Sequence, residues 1–125
     1  MSHTTIILAS SSQTRKDLMN RLGVVYECIS PEIDESPQCE LHADDLAKRL
    51  AFEKAKVISE QHPNAIVIGS DQVAWREGAP DIFIGKPLSV ENAIKQLQAN
   101  SDHFVYFSTA LSVQHQSTGF EQTII

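Results

Sequence analysis

Two basic side chains fall on helix faces that are otherwise apolar. Over positions 43–61 the helical period brings six apolar residues into one stripe: Ala43, Leu46, Ala47, Leu50, Ala51 and Ile58. Lys54 falls near the middle of that stripe and Lys56 outside it, while Arg15 shares a second predicted face with Leu18. A buried cation is costly unless an anion meets it, so both positions predict an anion site. The alternative for Lys54 is a side chain that extends along the helix surface to reach water.

A serine-rich turn precedes the helix that carries Arg15. Ser10–Ser12 breaks a short apolar strand, and the helical pattern starts at Gln13. Free N–H groups and the helix dipole favour anions at such a helix start, and Arg15 would add a full positive charge. Lys86 supplies a third cation in the stiff turn Gly85–Pro87, which on its own would be an ordinary surface turn.

Two carboxylates accompany these cations. Asp71 comes just past the apolar run Ala65–Ile68, where open α/β sheets bind their ligands. It could instead cap a helix or form a turn, but the following residues, Gln72–Ala74, do not predict a helix start. Glu35 lies in a loop with two prolines, where a solvated side chain and a Mg²⁺ ligand are both open interpretations.

Cations beside carboxylates on an acidic chain suit a phosphate ester bound together with a divalent metal ion. The cations and the metal would hold the phosphate oxygens, and a carboxylate would activate the attacking water. Without the metal, Asp71 and Glu35 would repel a polyphosphate. The residues therefore predict a phospho-ligand site, and hydrolysis is one use of it.

Alternating strand and helix patterns would position these residues. Strands are predicted at residues 6–9, 24–29, 65–68, 82–84, 104–113 and 120–125. Helices are predicted from residue 13 to a stop at 23, from about 43 to 61, and from 89 to about 99. Residues 30–37 are predicted to form a loop, 75–81 an exposed turn and 116–119 the connection of a hairpin. The β-α-β-α-β opening predicts a layered α/β domain.

Length and composition limit the class of protein. With 125 residues, 42% of them hydrophobic, the chain suits one compact domain over residues 1–125. The formal charge of −6 argues against a nucleic-acid polymer as partner, and the longest apolar runs are too short to span a membrane. Neither a secretory signal nor a C-x-x-C pair is found, so we expect a cytoplasmic protein in which Cys28 and Cys39 are reduced.

Five motifs follow one another along most of the chain: Leu8–Ser12 with Arg15, Ile33–Glu35, Glu53–Ala55, Ile68–Val73 and Gly85–Pro87. Together they resemble the motifs of the Maf family of nucleoside triphosphate pyrophosphatases. The resemblance implies a layered α/β fold with a mixed sheet flanked by helices, like that of inosine triphosphatases. It also implies dependence on Mg²⁺ or Mn²⁺ and hydrolysis of a nucleoside triphosphate substrate to the monophosphate and pyrophosphate.

The resemblance further implies roles for single residues. Asp71 would be the catalytic proton acceptor, and Glu35 and Asp71 would be the metal ligands. Four residues would bind the substrate: Ser10, Arg15, Lys54 and Lys86. Two would select the base, Gln72 and Thr14, although the chain departs from the family pattern at Thr14.

The segment Ser70–Val73 resembles the branch of the family that acts on 7-methyl-GTP, because the branch for dTTP and UTP usually has threonine after the aspartate. Glu27–Cys28 and Pro31–Glu35 favour the same branch. The expected substrate is therefore 7-methyl-GTP, with a dTTP/UTP pyrophosphatase as the alternative within the family.

The end of the chain gives a further expectation. Residues 122–125 end within a predicted strand and carry no polar tail, and members of the Maf family continue into a second lobe. We therefore expect the C-terminal part of the fold to be missing, with a homodimer as one way to complete the sheet. A nucleotide-binding or regulatory module without catalysis is the rival to an enzyme. A plain structural domain would require all five motifs to match by coincidence.

Overall fold

In the computed structural model, which describes residues 4–125, six strands form one sheet accompanied by three α-helices. The elements in chain order are β1 (Ile6–Ala9), α1 (Gln13–Arg21), β2 (Glu27–Cys28), α2 (Ala43–Gln61), β3 (Ile66–Arg76), β4 (Ala79–Ile84), α3 (Val90–Ala99), β5 (Val105–His115) and β6 (Phe120–Ile124). The short 3₁₀ turn Gln116–Thr118 joins β5 to β6, as the hairpin prediction requires.

The sheet is mixed, and β3 lies at its centre. Its strand order is β2-β1-β3-β5-β6, with β4 also paired to β3. β1 runs parallel to β2 and β3, whereas β4, β5 and β6 are joined by antiparallel pairings. The predicted layered α/β fold with a mixed sheet is confirmed.

The long helix α2 packs across β3 and β5 and buries the predicted apolar stripe. Lys54 is buried with that stripe, and Lys56 is exposed, as the helical period predicts. A Cβ on Gly69 of β3 would lie 2.5 Å from the carbonyl oxygen of Ala51 and 2.9 Å from the Cβ of Ala55. The backbone of α2 therefore lies directly on β3 at Gly69, which only a residue without a side chain permits.

Helix α1 begins and ends where the sequence predicts, but its apolar face is mostly uncovered. The Ser12 hydroxyl accepts the Arg15 N–H at 3.3 Å as the N-terminal cap. Met19 is buried, whereas Leu18 and Leu22 are more than half exposed. Met19 is therefore the residue of the predicted apolar face that anchors this short helix.

Several predicted elements differ in their bounds from the structure, because β3 spans Ile66–Arg76 where 65–68 is predicted and β4 spans Ala79–Ile84 where 82–84 is predicted. The strand expected over 24–29 contains only Glu27 and Cys28, which lie opposite Ile7 and Leu8 of β1. The Ile29 N–H still donates to the Leu8 carbonyl oxygen at 3.1 Å, whereas Val25 stands 93% exposed. The turn expected over 75–81 is confined to residues 77 and 78, since β3 and β4 pair up to Arg76 opposite Ala79. These two strands therefore form a tight hairpin.

Helix α3 lies at the edge of the molecule. Ser89 caps it as predicted, and none of its residues is buried. Two side chains connect it to the sheet region, because Arg76 donates to the carbonyl oxygen of Ala99 at 2.9 Å and Gln96 donates to that of Gly85 at 2.8 Å. Across residues 4–125, no helix combines the length and apolar character needed to cross a membrane.

Candidate active site

β3 lacks a neighbouring strand along part of one edge. β1 pairs with β3 only as far as Ala9 opposite Gly69, and β4 pairs with β3 only from Ile84 opposite Ala74. Residues 70–73 of β3 therefore border a gap in the sheet. The gap arises because β1 ends at the serine-rich turn, whereas β3 continues along β5.

A cleft of about 1180 Å³ opens at this gap. Asp71 and Gln72 both line it, although successive strand residues point to opposite faces of the sheet. Asp71 does not follow the end of a strand as predicted, because β3 continues to Arg76. It does lie two residues past Gly69, where the parallel pairing with β1 ends.

The eight residues that the sequence singles out all line this cleft: Ser10, Thr14, Arg15, Glu35, Lys54, Asp71, Gln72 and Lys86. They come from six different parts of the chain, including two helices, β3 and three connecting segments. The fold brings the whole set together, while the role of each residue stays a prediction.

Lys54 joins the two carboxylates of the cleft. Its Nζ lies 2.8 Å from Oδ1 of Asp71 and 2.6 Å from Oε1 of Glu35. Lys54 and Asp71 are each 9% exposed, and the Glu35 side chain is 59% exposed. The alternative in which Lys54 reaches bulk water is therefore wrong. Removing one partner of such a buried pair leaves an uncompensated charge, so Lys54 and Asp71 hold each other in place.

The loop that carries Glu35 is fastened to α2 by Arg49. Its guanidinium donates to the carbonyl oxygen of Ser36 at 2.9 Å, contacts Glu53 at 3.1 Å and forms an ion pair with Glu40. The hydrogen bond from Arg49 lowers the pKa of Glu40 below its ordinary value. Since Ser36 directly follows Glu35, Arg49 fixes the backbone beside this cleft carboxylate.

Asp34 forms a local turn on the other side of Glu35. Its Oδ1 accepts the N–H of Ser36 at 2.9 Å, and the hydrogen bonds from Ser36 lower the pKa of the Asp34 carboxyl. Ser36 thus receives two anchors, one from Asp34 and one from Arg49. Both restrain the loop position of Glu35.

The other cations border the cleft without an ion pair among residues 4–125. Arg15 is half-buried in the first turn of α1, and Lys86 is exposed in the turn after β4. Ser10 is buried, and its hydroxyl accepts the N–H of Ser12 at 3.0 Å, which shapes the turn before α1. Three cations and two carboxylates leave the cleft with a formal excess of one positive charge. This balance favours an anionic ligand.

Sequence reasoning missed several residues that shape the cleft. Thr109 lies opposite Gln72 on β5 and lines the same cavity. Phe83 supplies an apolar wall from β4. The strand register that places them there links distant segments, so no local pattern could reveal it. The contact of Arg49 with Glu53 has a sequence signal, because the two residues are four apart on one helix.

The donor set can be compared with what a divalent ion requires. Within residues 4–125, no group of three or more His, Cys, Asp or Glu side chains is close enough to hold a metal alone. Glu35 and Asp71 nevertheless converge on one cation, the ammonium of Lys54. Mg²⁺ is commonly held by one or two carboxylates together with substrate phosphates, and this pair fits that arrangement.

Comparison with known proteins identifies the family to which this chain belongs. The family profile described as Maf-like protein matches residues 5–125. The chain belongs to the Maf family. The resemblance that the five motifs indicated is therefore confirmed over nearly the whole chain.

Two Maf relatives show how much of the family's length is present. A protein from Acinetobacter baylyi named nucleoside triphosphate pyrophosphatase is 68% identical over 120 residues, which cover 96% of this chain and 61% of the relative. A 7-methyl-GTP pyrophosphatase from Pseudomonas savastanoi pv. phaseolicola is 43% identical over 118 residues, covering 94% and 60% respectively. The chain thus spans about three fifths of the length of these relatives.

Solved structures agree with the fold. The Staphylococcus aureus Ham1 protein aligns with a TM-score of 0.62 at 15% identity, covering 96% of this chain and 67% of that protein. A nucleoside-triphosphatase / dITP/XTP pyrophosphatase from Mycobacterium abscessus aligns with a TM-score of 0.56 at 19% identity, covering 97% and 70%. The Maf chain therefore shares its layered sheet architecture with these two proteins.

Proposed function

We propose that this chain binds a nucleoside triphosphate in the cleft and hydrolyses it to the monophosphate and pyrophosphate. The observation that carries the proposal is the buried ammonium of Lys54, which lies between Asp71 and Glu35 in a cleft that also holds Arg15 and Lys86. The name of the Acinetobacter baylyi relative, nucleoside triphosphate pyrophosphatase, supports the same reaction.

Asp71 is the proposed proton acceptor. Its Oδ1 is occupied by Lys54, while Oδ2 makes no hydrogen bond within residues 4–125. Oδ2 is therefore the oxygen that can take a proton from water attacking the α-phosphorus. The leaving group is pyrophosphate, whose negative charge the cations of the cleft would stabilise.

The substrate phosphates would lie against Arg15, Lys54, Lys86 and the serine turn that contains Ser10. Arg15 follows the capped start of α1, where main-chain N–H groups add to the attraction of its own charge. Lys54 is held by packing as well as by charge, so it would meet the phosphates without first losing much rotamer freedom.

A divalent cation, Mg²⁺ or Mn²⁺, completes the proposal, with Glu35 and Asp71 as its protein ligands. Such an ion supplies Lewis-acid stabilisation of the phosphate oxygens when it is bound. Arg49 supports Glu35 by fixing the loop at Ser36.

The proposed substrate is 7-methyl-GTP, with the base selected at Thr14 and Gln72. The name of the Pseudomonas relative at 43% identity supports this choice, and a dTTP/UTP pyrophosphatase is the alternative substrate class. Since the chain spans about three fifths of its relatives, nucleotide binding without turnover is the second candidate function.

Product analysis tests the proposal. The chain is incubated with Mg²⁺ and 7-methyl-GTP, GTP, dTTP or UTP in turn, and the phosphorus products are identified by ³¹P NMR. We expect monophosphate and pyrophosphate in equal amounts, fastest from 7-methyl-GTP, and no products after chelation of the metal. Diphosphate and orthophosphate would contradict the proposed bond cleavage, and calorimetric binding without products would favour the non-catalytic module.

A further inference from the structure

The gap in the sheet leaves part of the main chain of β3 without a strand partner. In a strand, successive residues direct their N–H and C=O groups to opposite sides. The Ile66 N–H donates to the Thr5 carbonyl oxygen at 2.8 Å on the β1 side, and the Glu77 N–H donates to the Phe104 carbonyl oxygen at 2.9 Å on the β5 side. The main-chain N–H and C=O groups of the even-numbered residues of β3 therefore point toward β1 and β4.

The pairing of β3 with β4 shifts register between Trp75 and Arg76, beyond Gln72. The alternation within β3 is kept, because β3 stays in continuous register with β5 from Val67 to Arg76. Gln72 is even-numbered, lies beyond the last pair with β1 at Gly69 and precedes the first pair with β4 at Ala74. Both its N–H and its C=O therefore point into the gap. Apart from the pairings between strands, the main chain of Gln72 neither donates nor accepts a hydrogen bond within residues 4–125.

The chemistry of this edge selects the part of a nucleotide that it can bind. A phosphate at neutral pH offers acceptors, so it would suit the Gln72 N–H but would meet the neighbouring carbonyl oxygen with repulsion. A nucleobase edge carries a hydrogen-bond donor beside an acceptor. It can therefore pair with the C=O and N–H of Gln72 in the way that a neighbouring strand would. Opposite Gln72, the uncharged hydroxyl side chain of Thr109 also lines the cleft.

We propose that the N–H and C=O of Gln72 form the base-binding edge of the cleft and hydrogen-bond the nucleobase directly. This inference rests on the proposed function, because it assumes that a nucleotide enters the cleft. It assigns base recognition to the main chain at position 72 in addition to any contact of the Gln72 side chain. The charged groups of the cleft are left for the phosphates.

Amide hydrogen exchange followed by NMR tests the edge without altering it. The free chain is compared with the chain bound to a GTP analogue carrying a methylene group between the α- and β-phosphorus, and with the chain bound to inorganic tripolyphosphate. The Gln72 amide should exchange fast in the free chain and roughly tenfold or more slowly with the analogue, but not with tripolyphosphate. The amides of Asp71 and Val73, which face β5, are controls and should exchange slowly in all three samples.

Each other outcome overturns the inference in a recognisable way. Slow exchange at Gln72 in the free chain would show that the edge is not open. Equal slowing by tripolyphosphate would assign the edge to phosphate. An analogue that shifts the resonances of Lys54 but leaves the Gln72 amide fast would refute the base contact while the proposed function stands. A chain that binds neither ligand would refute the proposed function and this inference together.

A pair of variants provides a second measurement. Gln72→Ala and Gln72→Pro both remove the side chain, but only the proline variant removes the N–H. Proline is tolerated at a strand edge whose N–H has no strand partner. Gln72→Pro should bind the analogue roughly tenfold more weakly than Gln72→Ala and should bind tripolyphosphate equally well. Equal affinity of the two folded variants for the analogue would overturn the inference, and the exchange measurement decides it if the proline variant does not fold.

Discussion

Gly69→Ala should destabilise the chain, because α2 packs on the bare backbone at this position. The added Cβ would lie 2.5 Å from the carbonyl oxygen of Ala51, 2.7 Å from the backbone nitrogen of Ala55 and 2.9 Å from its Cβ. An ordinary contact needs about 3.4 Å or more, so the helix must retreat from β3 by roughly 1 Å. Overpacking of this kind costs about 1–3 kcal/mol of unfolding free energy.

Urea unfolding followed by circular dichroism measures this cost, and Gly85→Ala is the matched control. A Cβ on Gly85 would meet no atom within 4 Å, so that variant should unfold within about 0.5 kcal/mol of the wild type. Gly69→Ala should also weaken nucleotide binding, because the retreat of α2 moves Lys54 away from Asp71. A Gly69→Ala variant as stable as the Gly85→Ala variant would refute the close packing of α2 on β3.

The remaining expectations concern charged side chains. Lys54→Ala should weaken triphosphate binding in calorimetric titration by roughly tenfold or more, whereas Lys56→Ala should leave it nearly unchanged, since the Lys56 side chain is 56% exposed. Equal losses would mean that the inward position of Lys54 does not matter. Arg49→Ala should raise the Mn²⁺ concentration needed for half-maximal nucleotide binding, because Arg49 anchors the Glu35 loop at Ser36. Lys48 is exposed, so Lys48→Ala should leave that concentration unchanged. Similar behaviour of the two variants would exclude the loop-anchoring role of Arg49. Arg49 lowers the pKa of Glu40 below its ordinary value of about 4.5. Their pairing therefore stabilises the loop fully at pH values above that ordinary pKa, and the stabilisation is lost as the pH falls through the lowered pKa. The protection of the loop amides, taken relative to their intrinsic exchange rate at each pH, should therefore fall in that acidic range, and unchanged protection would count against the anchor.

The helical part of the site could be predicted because its signal is local. The period of α2 alone identified the buried face, and it placed Lys54 on that face. The cap at Ser12 and the start of α1 are equally local, since the serine accepts an N–H three residues later. Such features depend on neighbours in sequence, so one chain is enough to find them.

The features that depend on strand register could not be predicted. The apolar run predicts a strand that ends at Ile68, yet pairing with β5 extends β3 to Arg76. The gap beside Gln72 exists because two other strands stop on either side of it, which no local pattern records. The position of Thr109 in the cleft follows from the same register.

The central proposal is that Asp71 accepts a proton while this cleft cleaves a nucleoside triphosphate. The most direct measurement is the rate of pyrophosphate release at saturating nucleotide and Mg²⁺, together with nucleotide affinity, for the wild type, Asp71→Asn and the control Asp81→Asn, whose side chain is exposed on β4. Asp71→Asn should lose about a hundredfold or more in turnover yet still bind the nucleotide, and Asp81→Asn should match the wild type. Near wild-type turnover by Asp71→Asn with Mg²⁺ present would contradict the account.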